Sequence, residues 1–120
     1  MTTLREADIK RAVDDFLTYQ QNLGKLVFLR LNSGDFIETR GETRRRIRGC
    51  PKGTADYLVL HEGGELFATD KLFACMCVFI ELKSPAGKQS KEQKEFQALV
   101  EAQGAEYHIV RSVSELERIL

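Results

Sequence analysis

Residues 75–83 combine β-branched, aromatic and sulfur side chains, end in Glu81-Leu82-Lys83, and are followed by a break with a proline and a glycine over Ser84 to Gly87. Such a run predicts a strand. Ser90-Lys91-Glu92-Gln93 is a capping box, Phe96, Leu99 and Val100 supply an apolar helical face, and Gly104 stands at a natural C′ position, so residues 90–103 predict a helix. Tyr107 to Val110 predicts the next strand. Strand, helix and strand in that order form a βαβ unit, and no other feature constrains the chain as much. It calls for an α/β fold, a mixed central β-sheet flanked by helices.

The rest of the chain fits around that unit. Thr3-Leu4-Arg5-Glu6 matches a capping box, and Ile9, Ala12, Val13, Phe16 and Leu17 follow at helical spacing, which predicts an amphipathic helix over 3–22 ending near Gly24. Lys25 to Leu31 predicts a buried strand, closed by the turn Asn32-Ser33-Gly34-Asp35. Residues 36–39 and 43–47 can pair as a hairpin, or Arg40 to Gly53 can be a mobile basic loop. Asp56 to Leu60 predicts a strand, Glu62-Gly63-Gly64 its turn, and Glu65 to Ala68 a returning strand. Ser112-Val113-Ser114-Glu115 caps a last short helix bearing Leu116, Ile119 and Leu120.

A chain of 120 residues, 42% of them hydrophobic, has material for one cored domain, and 1–120 is read as one. The longest apolar stretches, around Tyr57 to Leu60 and Phe73 to Ile80, fall well short of the roughly 20 residues of a membrane-spanning helix. Arg5 to Lys10 is charged with no apolar core before it, unlike a secretory signal, and the expected location is cytoplasmic. Cys50, Cys75 and Cys77 match neither a zinc nor a redox spacing; Cys75 and Cys77, two apart on a strand, are expected as small core residues. His61 and His108 have no companion at ligand spacing and are expected to be structural. The 18 basic and 18 acidic side chains cancel, so nucleic-acid affinity must come from local clusters.

Acid-x-Lys occurs at Asp8 to Lys10, Glu81 to Lys83 and Glu92 to Lys94. On a helix, residues two apart point in divergent directions; on a strand they share a face. Only Glu81 and Lys83 lie on a predicted strand, and Asp56, at the start of another, can bring a second carboxylate beside them. Two carboxylates and a backbone carbonyl, that of Leu82, are hard oxygen ligands suited to Mg²⁺. Such an ion would acidify a bound water and polarise a scissile phosphate, while Lys83 would position the water or stabilise developing charge. The chemically inert alternative is an exposed strand-end ion pair.

These residues resemble the virus-type replication-repair nuclease (VRR-NUC) family of the PD-(D/E)xK nuclease superfamily. The resemblance runs over nearly the whole chain. It rests on Glu6, on Arg30-Leu31-Asn32-Ser33-Gly34, on Gly53-Thr54-Ala55-Asp56-Tyr57-Leu58, on Phe79-Ile80-Glu81-Leu82-Lys83-Ser84-Pro85-Ala86-Gly87, and on Ser90, Gln93 and Phe96. It implies a restriction-endonuclease-like core in which Asp56 and Glu81 are metal ligands, Lys83 is the catalytic lysine and Gln93 is an active-site residue on the following helix. Glu6 would add an acid near the metal, although it and Gln93 also read as N3 residues of capping boxes. Family members usually carry proline where Ala55 stands; that proline would only stiffen the approach to the strand.

Arg40, Arg44, Arg45, Arg46, Arg48 and Lys52 face a single acid, Glu42, between residues 40 and 52. This is either a solvated charge run or a phosphate-contacting surface. Lys88, Lys91 and Lys94 cluster at the start of the second long helix, and Arg30 and Asn32 are either structural ties or substrate contacts. Tyr57 is expected to pack in the core. The reading that combines these features is a Mg²⁺- or Mn²⁺-dependent DNA endonuclease. The resemblance adds a homodimer cutting branched DNA such as Holliday junctions. A non-catalytic DNA-binding module, or a nuclease for flap or linear DNA or RNA, are the competing readings.

Overall fold

The computed structural model describes residues 5–67 and 72–120. In chain order the elements are α1 (Glu6–Asn22), β1 (Leu26–Arg30), β2 (Asp35–Arg40), β3 (Thr43–Arg48), β4 (Tyr57–Phe67), β5 (Leu72–Leu82), α2 (Lys91–Ala102), β6 (Glu106–Val110) and α3 (Val113–Ile119). Four strands form a sheet in the order β1-β4-β5-β6, and β2 and β3 form a separate two-stranded ribbon. β1, β4 and β5 pair antiparallel, while β5 and β6, joined through α2, pair parallel with Ile80 opposite His108. The sheet is therefore mixed, and the parallel pair is the βαβ unit expected from the sequence.

Period-2 alternation sorts the sheet into two faces. On one, Leu26, Phe28, Tyr57, Val59, Val78, Ile80, Leu82 and Val110 are buried against Ile9, Val13 and Leu17 of α1 and Leu116 of α3. On the other, α2 covers the β5–β6 end through an aromatic cluster in which Phe96 stands edge-on to Phe79, with ring centroids 5.2 Å apart, and 6.3 Å from Tyr107. No helix among the described residues is long and apolar enough to cross a membrane.

Four expectations are corrected. α1 starts at Glu6 with Arg5 as N-cap, and Asp8, not Glu6, accepts the Arg5 backbone N–H at 3.4 Å; Thr3 and Leu4 lie outside the described residues. Glu62-Gly63-Gly64 is not a turn: β4 runs straight through it with register shifts and stays paired to β5. Gly63 is needed there for close approach, since a Cβ would sit 2.4 Å from Met76 Cγ. Residue 68, the end of the expected returning strand, lies outside the described residues. β1 is only half buried, because α1 covers one face of this edge strand and leaves Val27 and Leu29 exposed. Cys75 and Cys77 share a face as expected but are exposed rather than core, being on the side that α2 covers only nearer β6.

Candidate active site

Asp56 and Glu81 arrive at one place from adjacent strands. Tyr57 pairs with Ile80 and both are fully buried in the core, so their chain neighbours Asp56 and Glu81 leave toward the opposite face. The Asp56 carbonyl accepts the N–H of Leu31 at 2.9 Å, and its Oδ2 accepts the N–H of Leu82 at 2.7 Å. A side chain thus takes over a strand-end backbone donor. Because an extended residue sends its N–H and C=O out along the same edge, the Leu82 carbonyl leaves on the edge where Asp56 sits.

Glu81 is 3% exposed and the one buried charged residue among the described residues. Its Oε1 accepts from Gln93 Nε2 at 2.8 Å, and Lys83 Nζ lies 3.8 Å from the same oxygen. Its Oε2 is buried with no hydrogen-bond partner. Such an oxygen needs a partner in the interior, which either a proton shared with the Asp56 carboxylate or a bound cation supplies. Gln93 fills both roles read for it: it caps α2, with Ser90 N donating to its Oε1 at 2.8 Å and its own N–H donating to Ser90 Oγ at 3.1 Å, and the remaining amide reaches Glu81.

The electrostatics follow from this crowding. Burial pushes the Glu81 carboxyl up to about 8; the Asp56 charge adds to that, Lys83 opposes it, and Glu6 raises it further. Burial also raises Asp56, against the Leu82 N–H and the positive charges of Lys10 and Lys83. The carboxylate pair therefore holds a proton near neutral pH unless a cation takes its place.

Mg²⁺ or Mn²⁺ fits this donor set: the orphaned Glu81 Oε2, the Asp56 carboxylate and the Leu82 carbonyl are all hard oxygens. Among the described residues no three or more His, Cys, Asp or Glu side chains are grouped to hold an ion. The side chains thus offer two carboxylates, which suits an ion that keeps several waters. Glu6 is exposed at the first turn of α1 and acts on Glu81 through its charge.

Supporting residues include several that the sequence reading passed over. Gly53 has φ +94°, and a Cβ there would lie 2.4 Å from the Glu92 carbonyl oxygen, so the loop leading to Asp56 is seated directly on the first turn of α2. Its position in Gly53-Thr54-Ala55-Asp56 was the only sequence signal. Arg111 donates from Nη1 to the carbonyls of Ser84, at 2.6 Å, and Gly87, at 2.8 Å, clamping the loop after Lys83. Nothing local in the sequence marked it. Lys10, seen earlier only in a helical acid-x-Lys, acts on Asp56, and Asp14 accepts from both Arg30 Nε, at 3.1 Å, and the Tyr57 hydroxyl.

The basic residues divide. Arg30 is tied to α1 by Asp14 and stacks over Phe28, 5.1 Å from the ring centroid, which is a structural use. The Asn32 carbonyl accepts the Cys50 N–H at 2.6 Å at the root of the β2–β3 ribbon. Arg44, Arg45, Arg46 and Arg48 all lie on β3. Lys52 pairs with Glu92 at 3.6 Å and Lys91 with Glu95 at 4.0 Å, while Lys88 is exposed. Comparison of the chain with protein-family models, curated proteins and solved structures returns no match.

Proposed function

We propose that this chain is a PD-(D/E)xK-type, metal-dependent DNA endonuclease, a nuclease domain of the VRR-NUC kind that hydrolyses phosphodiester bonds in branched DNA as a homodimer. The observation that carries the reading is the buried Glu81 carboxyl, whose Oε2 has no N–H donor, set beside Asp56 and Lys83. A purely structural ion pair at a strand end would remain in water, where exposed pairs are formed at little cost; burying this one incurs a desolvation penalty that a function can explain. A bound Mg²⁺ or Mn²⁺ would supply an acidified water and a Lewis acid at the scissile phosphate.

The chain's own residues would do the rest. Leu82 N–H holds the Asp56 carboxylate in place, and Gln93 holds Glu81. Lys83, only 14% exposed in its side chain, would orient the attacking water or neutralise charge developing on the phosphate. Two copies related by a two-fold axis would present two such sites, as symmetric cutting of a four-way junction requires.

The test is cleavage of labelled four-way junction, flap and linear duplex DNA with Mg²⁺, Mn²⁺ or EDTA, by wild type, Lys83→Ala and Asp56→Asn. Paired nicks on the junction, lost with EDTA and with either substitution, are expected. DNA binding without cleavage under either metal would replace the nuclease by a DNA-binding module of the same fold.

A further inference from the structure

Among the described residues the β2–β3 ribbon joins no other strand, yet its root is firmly held. Cys50 N donates to the Asn32 carbonyl at 2.6 Å, Gly34 N to the Cys50 carbonyl at 2.9 Å, and Gly49 N to the Gly34 carbonyl at 2.7 Å. On one side the root continues into Leu31, whose N–H is bonded to the Asp56 carbonyl, and on the other into the loop that Gly53 seats on α2. The ribbon therefore springs from the rim of the Asp56–Glu81 site. With six residues in each strand, it reaches roughly 20 Å at the usual rise of an antiparallel strand.

Its register separates the arginines that the sequence had grouped. One face carries the pairs Phe36–Ile47, Glu38–Arg45 and Arg40–Thr43; the other carries Asp35–Arg48, Ile37–Arg46 and Thr39–Arg44. On the first face Glu38 engages both arginines, Arg40 at 2.9 Å and Arg45 at 3.1 Å. On the second, three arginines meet one acid: Asp35 pairs with Arg46, and Arg44 and Arg48 make no ion pair among the described residues. In a chain of zero net charge, this is a local excess of exposed guanidinium groups along one strand.

We propose that the Arg44, Arg46 and Arg48 face of the ribbon lies in the major groove of a DNA duplex beside the cleaved bond. The nuclease's substrate must then be double-stranded for about six base pairs beyond the site, from the ribbon's reach and the rise of about 3.4 Å per pair. This rests on the DNA-endonuclease reading above. A major groove about 12 Å wide admits a two-stranded ribbon, and arginine offers paired donors to phosphate oxygens or to guanine O6 and N7. Arg40 and Arg45, both held by Glu38 on the opposite face, where the excess of positive charge is smaller, have no part in it.

The experiment measures binding of labelled duplex and single-stranded DNA of about three helical turns, by fluorescence anisotropy in EDTA over a salt series. Wild type is compared with R44A/R46A/R48A and with R40A/R45A, all exposed positions whose substitution circular dichroism would show to leave the fold intact. The triple variant is expected to lose about a hundredfold in duplex affinity and up to about 3 in the slope of log K against log salt, while the double variant stays within about threefold. Methylation of guanine N7 should be blocked by wild type and restored by the triple variant.

Equal losses in both variants, unchanged binding by the triple variant, preference for the single strand, or no guanine protection would overturn the proposal. So would loss of binding that tracks loss of a dimer in sedimentation, which would make the ribbon a protein contact. Cleavage by wild type in Mg²⁺ is scored separately. Duplex binding that depends on the three arginines without any cleavage removes the nuclease reading and leaves the ribbon assignment; cleavage with ribbon-independent binding does the reverse.

Discussion

Gln93 Nε2 donates to Oε1 of Glu81 at 2.8 Å, while the carbonyl oxygen of the same amide accepts the Ser90 N–H at 2.8 Å. One side chain therefore joins the start of α2 to the carboxylate at the end of β5. The capping bond fixes which end of the amide faces Glu81, and a donor rather than an acceptor is presented to it.

Gln93→Ala removes both bonds. Loss of the cap should lower stability by about 1 kcal/mol, and loss of the carboxylate's orienting partner should reduce metal affinity or cleavage by roughly 10- to 100-fold. Gln93→Glu keeps the cap but sets a carboxylate against Glu81, and should weaken function at least as much while costing less helix stability. Chemical denaturation and Mg²⁺ titration of both variants separate the two effects; equal behaviour would argue against a distinct role at Glu81.

Gly53→Ala should be damaging out of proportion to its size. The added methyl would meet the backbone of Glu92, which cannot swing aside, and the φ of +94° is strained for any L side chain. A destabilisation of about 2–3 kcal/mol is expected. Since this loop leads to Asp56, Mg²⁺-dependent cleavage should fall more than at a control such as Gly24→Ala, where the φ of +75° is also strained but a Cβ meets no atom.

Arg111→Met keeps the aliphatic stem and removes the guanidinium that holds Ser84 and Gly87. The expected loss is about 2 kcal/mol, from two hydrogen bonds made by a charged group. Hydrogen exchange should speed up at residues 84–88 while the β5 ladder stays protected. Uniform loss of protection would mean that Arg111 supports the whole domain and not that loop.

Stability should depend on pH with a sign opposite to that of ordinary surface acids. The Glu81 carboxyl is raised from its usual 4.5 to about 8 in the folded chain, so the folded state binds the proton more tightly than the unfolded state. Its contribution is fully present below about 4.5 and is lost as pH rises through about 8. With EDTA present, the melting temperature should fall over that window, and Glu81→Gln should flatten the fall. Mg²⁺ should raise the melting temperature most at the alkaline end, where no proton has to be displaced.

Much of the architecture follows from local patterns. The β-branched and aromatic run into Glu81-Leu82-Lys83, the Ser90–Gln93 box and Gly104 place β5, α2 and the turn into β6, because strand preference and capping are local properties of the chain. Side-chain alternation puts Glu81 and Lys83 on one side of a strand. It could not say that Glu81 is buried, that one of its oxygens has no partner, or that Asp56 caps the Leu82 N–H; each depends on residues 25 positions or more apart meeting across β4 and β5. Gly63 looked like a turn and is a close-packing residue, since only the partner strand reveals what lies over it. Arg111 as a clamp, Asp14 beneath Arg30, and the division of the arginines between the faces of the ribbon were likewise decided in three dimensions. A sequence states which side chains are charged, whereas the pairing register and the fold decide which charges are already neutralised and which still face outward.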